Sequence, residues 1–442
     1  MRILRRLLSW ALCLGFCNSL LLLVSLPAAP PLRLGFALLL GLAFALFQAF
    51  PRKREAWPAR LQALANGYEL LLAGGALFLG ETLLYAGLLF RGAVSPLEWA
   101  NLGLCLLLTL VPVLGGLLRV GAVSREMGLV LRILLLLLWW LPILNLALVL
   151  IAAFRARREF LFSLRALRRD EQRAAERICA TRYPILLVHG IFFRDWPLFN
   201  YWGRIPQALA ANGATLFYGG QAASAPIEKS AAQLKARILE VLAQTGSEKL
   251  NIIAHSRGGL EARYAIGRLG LGDQVASLTT ISTPHLGCGY LGPVLERTPS
   301  GLKALIQRGH NAAFRRLGDP EPDFFGAVKD LSAEACRALN EAMPDAPGVL
   351  YQSVGSRMAG ARASHFPLNL GYGLIKPLEG DNDGLVPVHS MAWGHFLGVL
   401  SPKGRKGLSH GDMIDLTRKI IPGFDVCEFY VGLVSGLKAR GL

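Results

Sequence analysis

The sequence contains no Cys-x-x-Cys pair. Its seven cysteines are Cys13, Cys17, Cys105, Cys179, Cys288, Cys336 and Cys427. The first three lie inside apolar runs, where a free thiol is a small hydrophobe. The other four are too scattered for a zinc site or a disulfide framework. Acidic residues are also scarce: 30 Asp and Glu stand against 47 Lys and Arg, a net charge of +17. Such an excess suggests nucleic acid at first sight. The basic residues, however, gather at the edges of apolar runs: Arg2, Arg5 and Arg6; Arg52, Lys53 and Arg54; then Arg155, Arg157, Arg158, Arg165, Arg168 and Arg169. That is the pattern of membrane flanks facing anionic head groups, and it argues for a lipid bilayer rather than nucleic acid as partner.

Apolar residues make up 53% of the 442 residues, and the mean hydropathy is +0.40. Soluble domains average about 45–50% apolar. The excess sits in the first third of the chain, which excludes a disordered chain, a disulfide-stapled miniprotein and a wholly soluble protein. A spanning helix needs about 20 mostly apolar residues. Five runs fit: 7–26, 32–50, 64–90, 99–119 and 128–153. The first lacks a small-x-small cleavage site and another apolar run follows at once, so it reads as a span and not a signal peptide.

The expectation is therefore a multi-pass region of about five spans over 1–153. Its orientation is contradictory. With the N-terminus inside, five spans leave residue 155 outside, whereas the basic flank at 155–169 says inside. A re-entrant or interfacial segment would make the count even, and the balance favours a cytoplasmic C-terminal domain. Residues 154–178 read as a basic interfacial helix with Phe160, Leu161, Leu164 and Leu167 toward lipid. Glu69 and Glu81 fall in the third run. Glu69 can reach the interface or Arg132, and Glu81 reads as protonated or hydrogen-bonded within the bundle, not as part of an ion pathway.

From residue 179 to 442 short apolar strands alternate with amphipathic helices, the pattern of a mostly parallel sheet. Strands are expected at 185–188, 215–218, 250–254, 275–281 and 349–354, with helices at 229–244 and 258–268. Asn251-Ile252-Ile253-Ala254-His255-Ser256-Arg257-Gly258-Gly259 runs from a buried strand through a tight turn into a helix. This is a nucleophile elbow, G-x-S-x-G in general form, with Ala254 at the first glycine position. The turn lifts Ser256 Oγ above the sheet, and the helix N-terminus behind it favours developing negative charge.

A serine nucleophile needs a base, and the base needs an orienting acid, in the chain order Ser, acid, His. Asp381-Asn382-Asp383-Gly384-Leu385-Val386-Pro387 is a polar turn entering an apolar run; Asp383 is the expected acid, with Asp381 as the alternative. His410 sits in a glycine-containing loop that opens a helix, a place for an exposed, mobile imidazole. His389 and His395 lie in an aromatic stretch and read as packed. Backbone N–H groups of Arg257 and Ile191 are the expected oxyanion hole, the latter in the loop after His189-Gly190.

The stretches LNIIAHSRGGLEARYAI, LTTISTPHLGC, DNDGLVPV, WGHFLGV and LSHGDMIDL, preceded by PILLVHGIF and NYWGRIPQAL, resemble the bacterial and fungal triacylglycerol lipases of the α/β-hydrolase fold. The resemblance covers nearly all of 183–420, in order. It implies Ser256 as nucleophile, Asp383 as acid, His410 as base, and Ile191 and Arg257 as the oxyanion hole. Residues 1–155 lie outside it. Some members of that family carry a structural calcium near the catalytic histidine. Asp412 is placed for one but has no second carboxylate with it, so the expectation is no cofactor.

Residues 288–345 interrupt the strand pattern with amphipathic segments and read as a helical lid over an acyl groove. The fold expected is thus a transmembrane helical bundle followed by an α/β-hydrolase domain with a lid. The function expected is a membrane-held serine lipase or esterase acting on a lipid ester. A phospholipase or thioesterase, and a transport or scaffold protein with an inactive hydrolase domain, stand as alternatives.

Overall fold

A computed structural model describes residues 12–23, 29–49, 57–92, 94–191, 200–316, 318–319, 321–402 and 406–442. The basic clusters Arg2, Arg5, Arg6 and Arg52, Lys53, Arg54 lie outside the described residues, as do the ends of the 7–26 run. The chain divides into two compact units, Met1–Arg168 and Arg169–Leu442.

The first unit is helical: α1 (Ser19–Leu23), α2 (Pro30–Ala49), α3 (Ala59–Phe90), α4 (Pro96–Val123), α5 (Gly128–Leu137) and the start of α6 (Pro142–Arg173). Among the described residues two helices, α3 and α4, are long and apolar enough to cross a membrane. They pack tightly because glycine lets their backbones meet. A Cβ on Gly116 would lie 2.9 Å from the Gly67 carbonyl, and one on Gly74 2.5 Å from a Val113 methyl. Such small-residue contacts are how helices associate where water gives no hydrophobic drive. Ser95 and Glu98 form a capping box at the start of α4, which fixes the sharp reversal between the two helices.

The run 128–153 is not one continuous helix. Its helix α5 has only ten residues, about 15 Å at 1.5 Å per residue. The chain breaks at 138–141, and Pro142 begins α6, as proline suits a first helical turn. The two arms then return to one end of the unit. Glu159 pairs with Arg60 and accepts a 2.7 Å bond from Ser124 Oγ, and Arg158 pairs with Glu126. The basic groups near residues 60, 125 and 158 therefore lie at one end of the unit.

No separate interfacial helix begins at 154, since α6 runs through to Arg173. Phe160 does not face outward either. It is buried, its ring 5.2 Å from Trp57 and 5.5 Å from Tyr68, with Leu164 and Leu167 packed against the same core. The apolar stripe of α6 is satisfied by neighbouring helices, so of the four only Leu161 is exposed, at 37%. Glu81 is buried and accepts 2.8 Å from Asn18 Nδ2. Arg132 Nη2 donates to Ser124 O at 2.8 Å.

The second unit holds a six-stranded sheet in the order β2-β1-β3-β4-β5-β6. The strands are β1 (Ile185–Val188), β2 (Leu216–Tyr218), β3 (Leu250–His255), β4 (Val275–Ile281), β5 (Leu350–Ser356) and β6 (His395–Leu400). All pairings are parallel, with Val188 opposite Ala254 and Ala254 opposite Thr280. Alternate side chains feed opposite faces. Ile185, Leu187 and Ile253 pack with Trp202, with Ile205 and Leu209 of α7 (Ile205–Ala211) and with Tyr430 and Val434 of the last helix, Val426–Ala439. Leu186, Val188, Ile252 and Ala254 pack on α8 (Ile227–Thr245) and α9 (Arg257–Gly267). Both faces are covered, so β1, β3 and β4 read as unbroken buried runs. β6 escapes sequence reasoning because its residues are half-exposed at the sheet edge. Four helices, Leu291–Arg297, Ser300–Arg316, Phe324–Lys329 and Ala333–Ala342, occupy the 288–345 insertion between β4 and β5.

Candidate active site

Three loops at the carboxyl ends of the strands converge. The first leaves β3. Ser256 sits between β3 and α9 with φ 55° and ψ −133°, a backbone region costly for a side-chain-bearing residue and typical of a nucleophile turn. Two glycines make the turn feasible. A Cβ on Gly258 would lie 2.4 Å from the His189 carbonyl oxygen, and one on Gly259 2.3 Å from Thr283 Oγ1. The Ser256 carbonyl accepts 2.7 Å from that Thr283 hydroxyl, and its N–H donates 2.9 Å to Ile281 O.

The second loop leaves β5. Asp383 is fully buried, and its Oδ1 accepts from the N–H groups of Val386 (2.9 Å) and Leu385 (3.1 Å). Its Oδ2 accepts from Ser356 Oγ at 3.1 Å. Asp381 by contrast is an exposed carboxylate paired with Arg357 and Lys376, which hold it below its ordinary value.

The third loop leaves β6. His410 Nδ1 lies 2.8 Å from Asp383 Oδ2, and its backbone N–H donates 2.9 Å to Asp383 O. His410 is 6% exposed, so its imidazole is enclosed and not the exposed group its glycine-containing loop suggests. Its ring lies tilted by 50° against that of His255, centroids 4.4 Å apart, directly before Ser256. Burial holds His255 well below its ordinary histidine value, and the facing His410 adds to this. His389 and His395 are not packed: both lie on exposed or half-exposed surface, His389 3.6 Å from Glu379.

The loop after β1 closes the site. A Cβ on Gly190 would come within 2.9 Å of Ser256 Cβ. The Gly190 N–H donates 3.0 Å to the Tyr201 hydroxyl, and Ile191 follows it at the end of the described part of this loop. Residues 192–199 lie outside the described residues. Tyr201, which sequence reasoning did not single out, also bonds His255 Nδ1 at 2.7 Å and so ties the loop to the elbow.

Behind the elbow lies a buried polar chain. Arg257 Nη1 is 2.9 Å from Glu261 Oε1, and the same guanidinium bonds Ala225 O and reaches Asp330 at 3.5 Å. Gln221 Nε2 donates to Glu261 Oε2 (2.9 Å) and to His189 O (3.0 Å). Burial pushes the Glu261 carboxyl up to about 7, although Arg257 and Gln221 pull it down. The spacing Arg257-x-x-x-Glu261 is one helical turn and was the available signal for this pair.

Among the described residues no group of three His, Cys, Asp or Glu could hold a metal ion. Asp412 Oδ2 accepts from Ser409 N–H (2.9 Å) and Oγ (2.7 Å), which makes it the brace of its own turn.

A parallel sheet carrying a serine elbow and a buried Asp-His pair on consecutive loops is the architecture of the α/β-hydrolases. Comparison with known proteins agrees. The model of the family described as "Putative serine esterase (DUF676)" matches residues 220–310. The chain is 32% identical over 222 residues to a triacylglycerol lipase of Burkholderia plantarii, covering 46% of this chain and 61% of the relative. It is 31% identical over 221 residues to a triacylglycerol lipase of Pseudarthrobacter phenanthrenivorans, covering 46% of this chain and 68% of that relative. The match thus spans about three fifths of the first and two thirds of the second. Among solved structures, a Staphylococcus hyicus lipase superposes over 58% of this chain and 96% of its own, with a TM-score of 0.45 at 17% identity. The chain belongs to the triacylglycerol lipase family.

Proposed function

We propose that this protein is a membrane-held serine hydrolase that cleaves carboxylic esters of acylglycerols. The observation that carries the reading is the buried 2.8 Å contact between His410 Nδ1 and Asp383 Oδ2, with the His410 ring against that of the residue that precedes Ser256. Asp383 fixes the tautomer that leaves His410 Nε2 as a base. Ser256 Oγ attacks the ester carbonyl as His410 takes its proton. The N–H groups of Ile191 and Arg257 hold the oxyanion. The C–O bond to the alcohol breaks, His410 protonates the leaving oxygen, and an acyl-Ser256 remains. Water, deprotonated by the same imidazole, releases the fatty acid and restores Ser256. No cofactor is needed for this sequence of steps.

The acylglycerol substrate is inferred from the relatives' names. The lid role of the four helices after β4 rests on their position and on exposed Leu302, Leu305 and Ile306. Helices α3 and α4 would cross the bilayer as a hairpin and keep the enzyme beside a water-insoluble ester, an effective-concentration gain. The basic end of the helical unit would face the cytoplasm.

A fluorophosphonate probe tests the reading. It is expected to label the purified chain at Ser256, and Ser256→Ala is expected to abolish labelling. Labelling elsewhere, or none on the intact protein, would reject it.

A further inference from the structure

We propose that Arg204 and Asp415 are positioning residues of the hydrolytic site, holding the loop that carries His410 against the segment that carries Tyr201. The inference rests on the hydrolase reading above and names residues that act through its base. Arg204 immediately precedes α7, and Asp415 lies five residues after His410. Three N–H groups of Arg204 converge on one carboxylate. The backbone N–H donates 2.9 Å and Nε 2.7 Å to Asp415 Oδ2, and Nη2 donates 2.7 Å to Oδ1. The two-pronged side-chain geometry is particular to a guanidinium, and a lysine cannot reproduce it. The Asp415 side chain is 2% exposed and that of Arg204 23%.

Each end of the pair is fastened to a catalytic loop. On the Asp415 side, residues 409–416 form a hydrogen-bonded turn. Asp412 N–H donates 3.0 Å to Ser409 O, Asp415 N–H 3.2 Å to Asp412 O, and Leu416 N–H 3.0 Å to Gly411 O. A shift of Asp415 therefore carries His410 with it. On the Arg204 side, the Tyr201 hydroxyl accepts 3.0 Å from Gly190 N–H and lies 2.7 Å from His255 Nδ1, one residue before Ser256. Trp202 and His255 meet edge to face, with ring centroids 6.4 Å apart. The segment 201–204 is thus joined to the loop after β1, to the elbow and to the loop of the base.

The two segments are pressed together. Asp415 has φ 56° and Gly203 φ 55°. A Cβ on Gly203 would lie 2.6 Å from Asp415 Cβ and 2.6 Å from its carbonyl oxygen. A side-chain-bearing residue is held in the left-handed region at a cost, by its surroundings. Stability alone does not account for the pair, because desolvation offsets most of the attraction between buried ions. What the pair supplies is a fixed direction. Asp383 holds the imidazole of His410 through Nδ1, and the guanidinium fork holds the loop from which that imidazole projects. A displacement of a reacting group by about 1 Å costs about a hundredfold in rate.

Arg204→Lys and Arg204→Ala in the purified full chain, assayed on a water-soluble carboxylic ester, test the proposal. Fluorophosphonate labelling carried to completion counts the competent sites, and turnover is expressed per labelled site. Both substitutions are expected to lower kcat per site by about 10–100-fold while KM stays within about threefold. Guanidinium ion is expected to raise the rate of Arg204→Ala by about threefold or more, and ammonium ion at the same concentration to leave it unchanged, because only guanidinium refills the fork. A merely structural pair would lower the number of labelled sites and leave turnover per site as in the native protein. Unchanged turnover per site in either folded variant overturns the proposal, as does a rescue by guanidinium no greater than that by ammonium. Arg204→Lys keeps a charge beside Asp415 and decides the matter if Arg204→Ala does not fold. Failure of the hydrolase reading has a different signature, since the native chain itself would then take no label at Ser256.

Discussion

Arg257 Nη1 lies 2.9 Å from Glu261 Oε1 in a pair whose side chains are 1% and 3% exposed. A buried ion pair is a poor stabiliser, because desolvation offsets most of the attraction. Its place suggests its use. Glu261 holds Gln221, Gln221 holds the His189 carbonyl, and the backbone amides of Arg257 and of Ile191, two residues after His189, are the proposed oxyanion donors. The side chain of Arg257 thus helps to position the two loops whose amides must converge.

The pair gives stability a pH dependence. The Glu261 carboxyl rises from 4.5 to about 7 on folding, so the folded state binds its proton more tightly. The contribution of this group is complete below about pH 4.5 and is lost as pH rises through about 7. Glu261→Gln cannot titrate. The melting temperature of the native protein minus that of the variant is expected to be larger at about pH 5 than at about pH 8. A difference that does not change with pH would contradict the assignment.

The two acids of the β5 loop should separate cleanly. Asp383→Asn is expected to lower kcat by about 10⁴-fold, since the imidazole loses its orienting partner. Asp381→Asn is expected to alter it by less than about threefold, because an exposed pair contributes little. Steady-state hydrolysis of a water-soluble ester measures both, and a crippling effect at Asp381 would reverse the assignment.

Much of this site is legible from sequence because strained turns leave few residue choices. Gly258, Gly259 and Gly384 mark turns that other residues cannot make, and they frame Ser256 and Asp383. The parallel strands are legible from their unbroken apolar runs. What escapes has physical reasons. Tyr201 acts through one hydroxyl, which has no periodicity to read. The edge strand β6 lacks a buried face. The outward reading of Phe160 fails because an amphipathic stripe looks the same whether lipid or a neighbouring helix covers it. The break before Pro142 was visible as a proline after Trp139 and Trp140, yet hydropathy alone joined the two arms into one span.

Glycine substitutions probe the packing of the elbow, with an open position on the last helix as the control. Gly258→Ala places a methyl 2.4 Å from the His189 oxygen, and overpacking of this kind is expected to cost about 1–3 kcal/mol. Gly432→Ala meets nothing within 4 Å in the interior of an exposed helix face, and it is expected to add about 0.4–1 kcal/mol. Chemical denaturation reads both, and equal effects would mean that the elbow is loosely packed.

The helical unit should govern access to substrate and leave the chemistry alone. The chain Arg169–Leu442 is expected to hydrolyse a short soluble ester at a rate within about threefold of the full protein and to lose far more activity on ester in a bilayer. Equal losses on both substrates would mean that the helices complete the fold or the site.

The central claim is that Ser256 is the nucleophile, and the direct measurement is the kcat of folded, purified Ser256→Ala on a chromogenic carboxylic ester. Because the residues of such a site act as a unit, turnover is expected to fall by about 10⁶-fold, close to background. Turnover within about a hundredfold of the native protein would mean that the ester is cleaved without Ser256, and the account would be wrong.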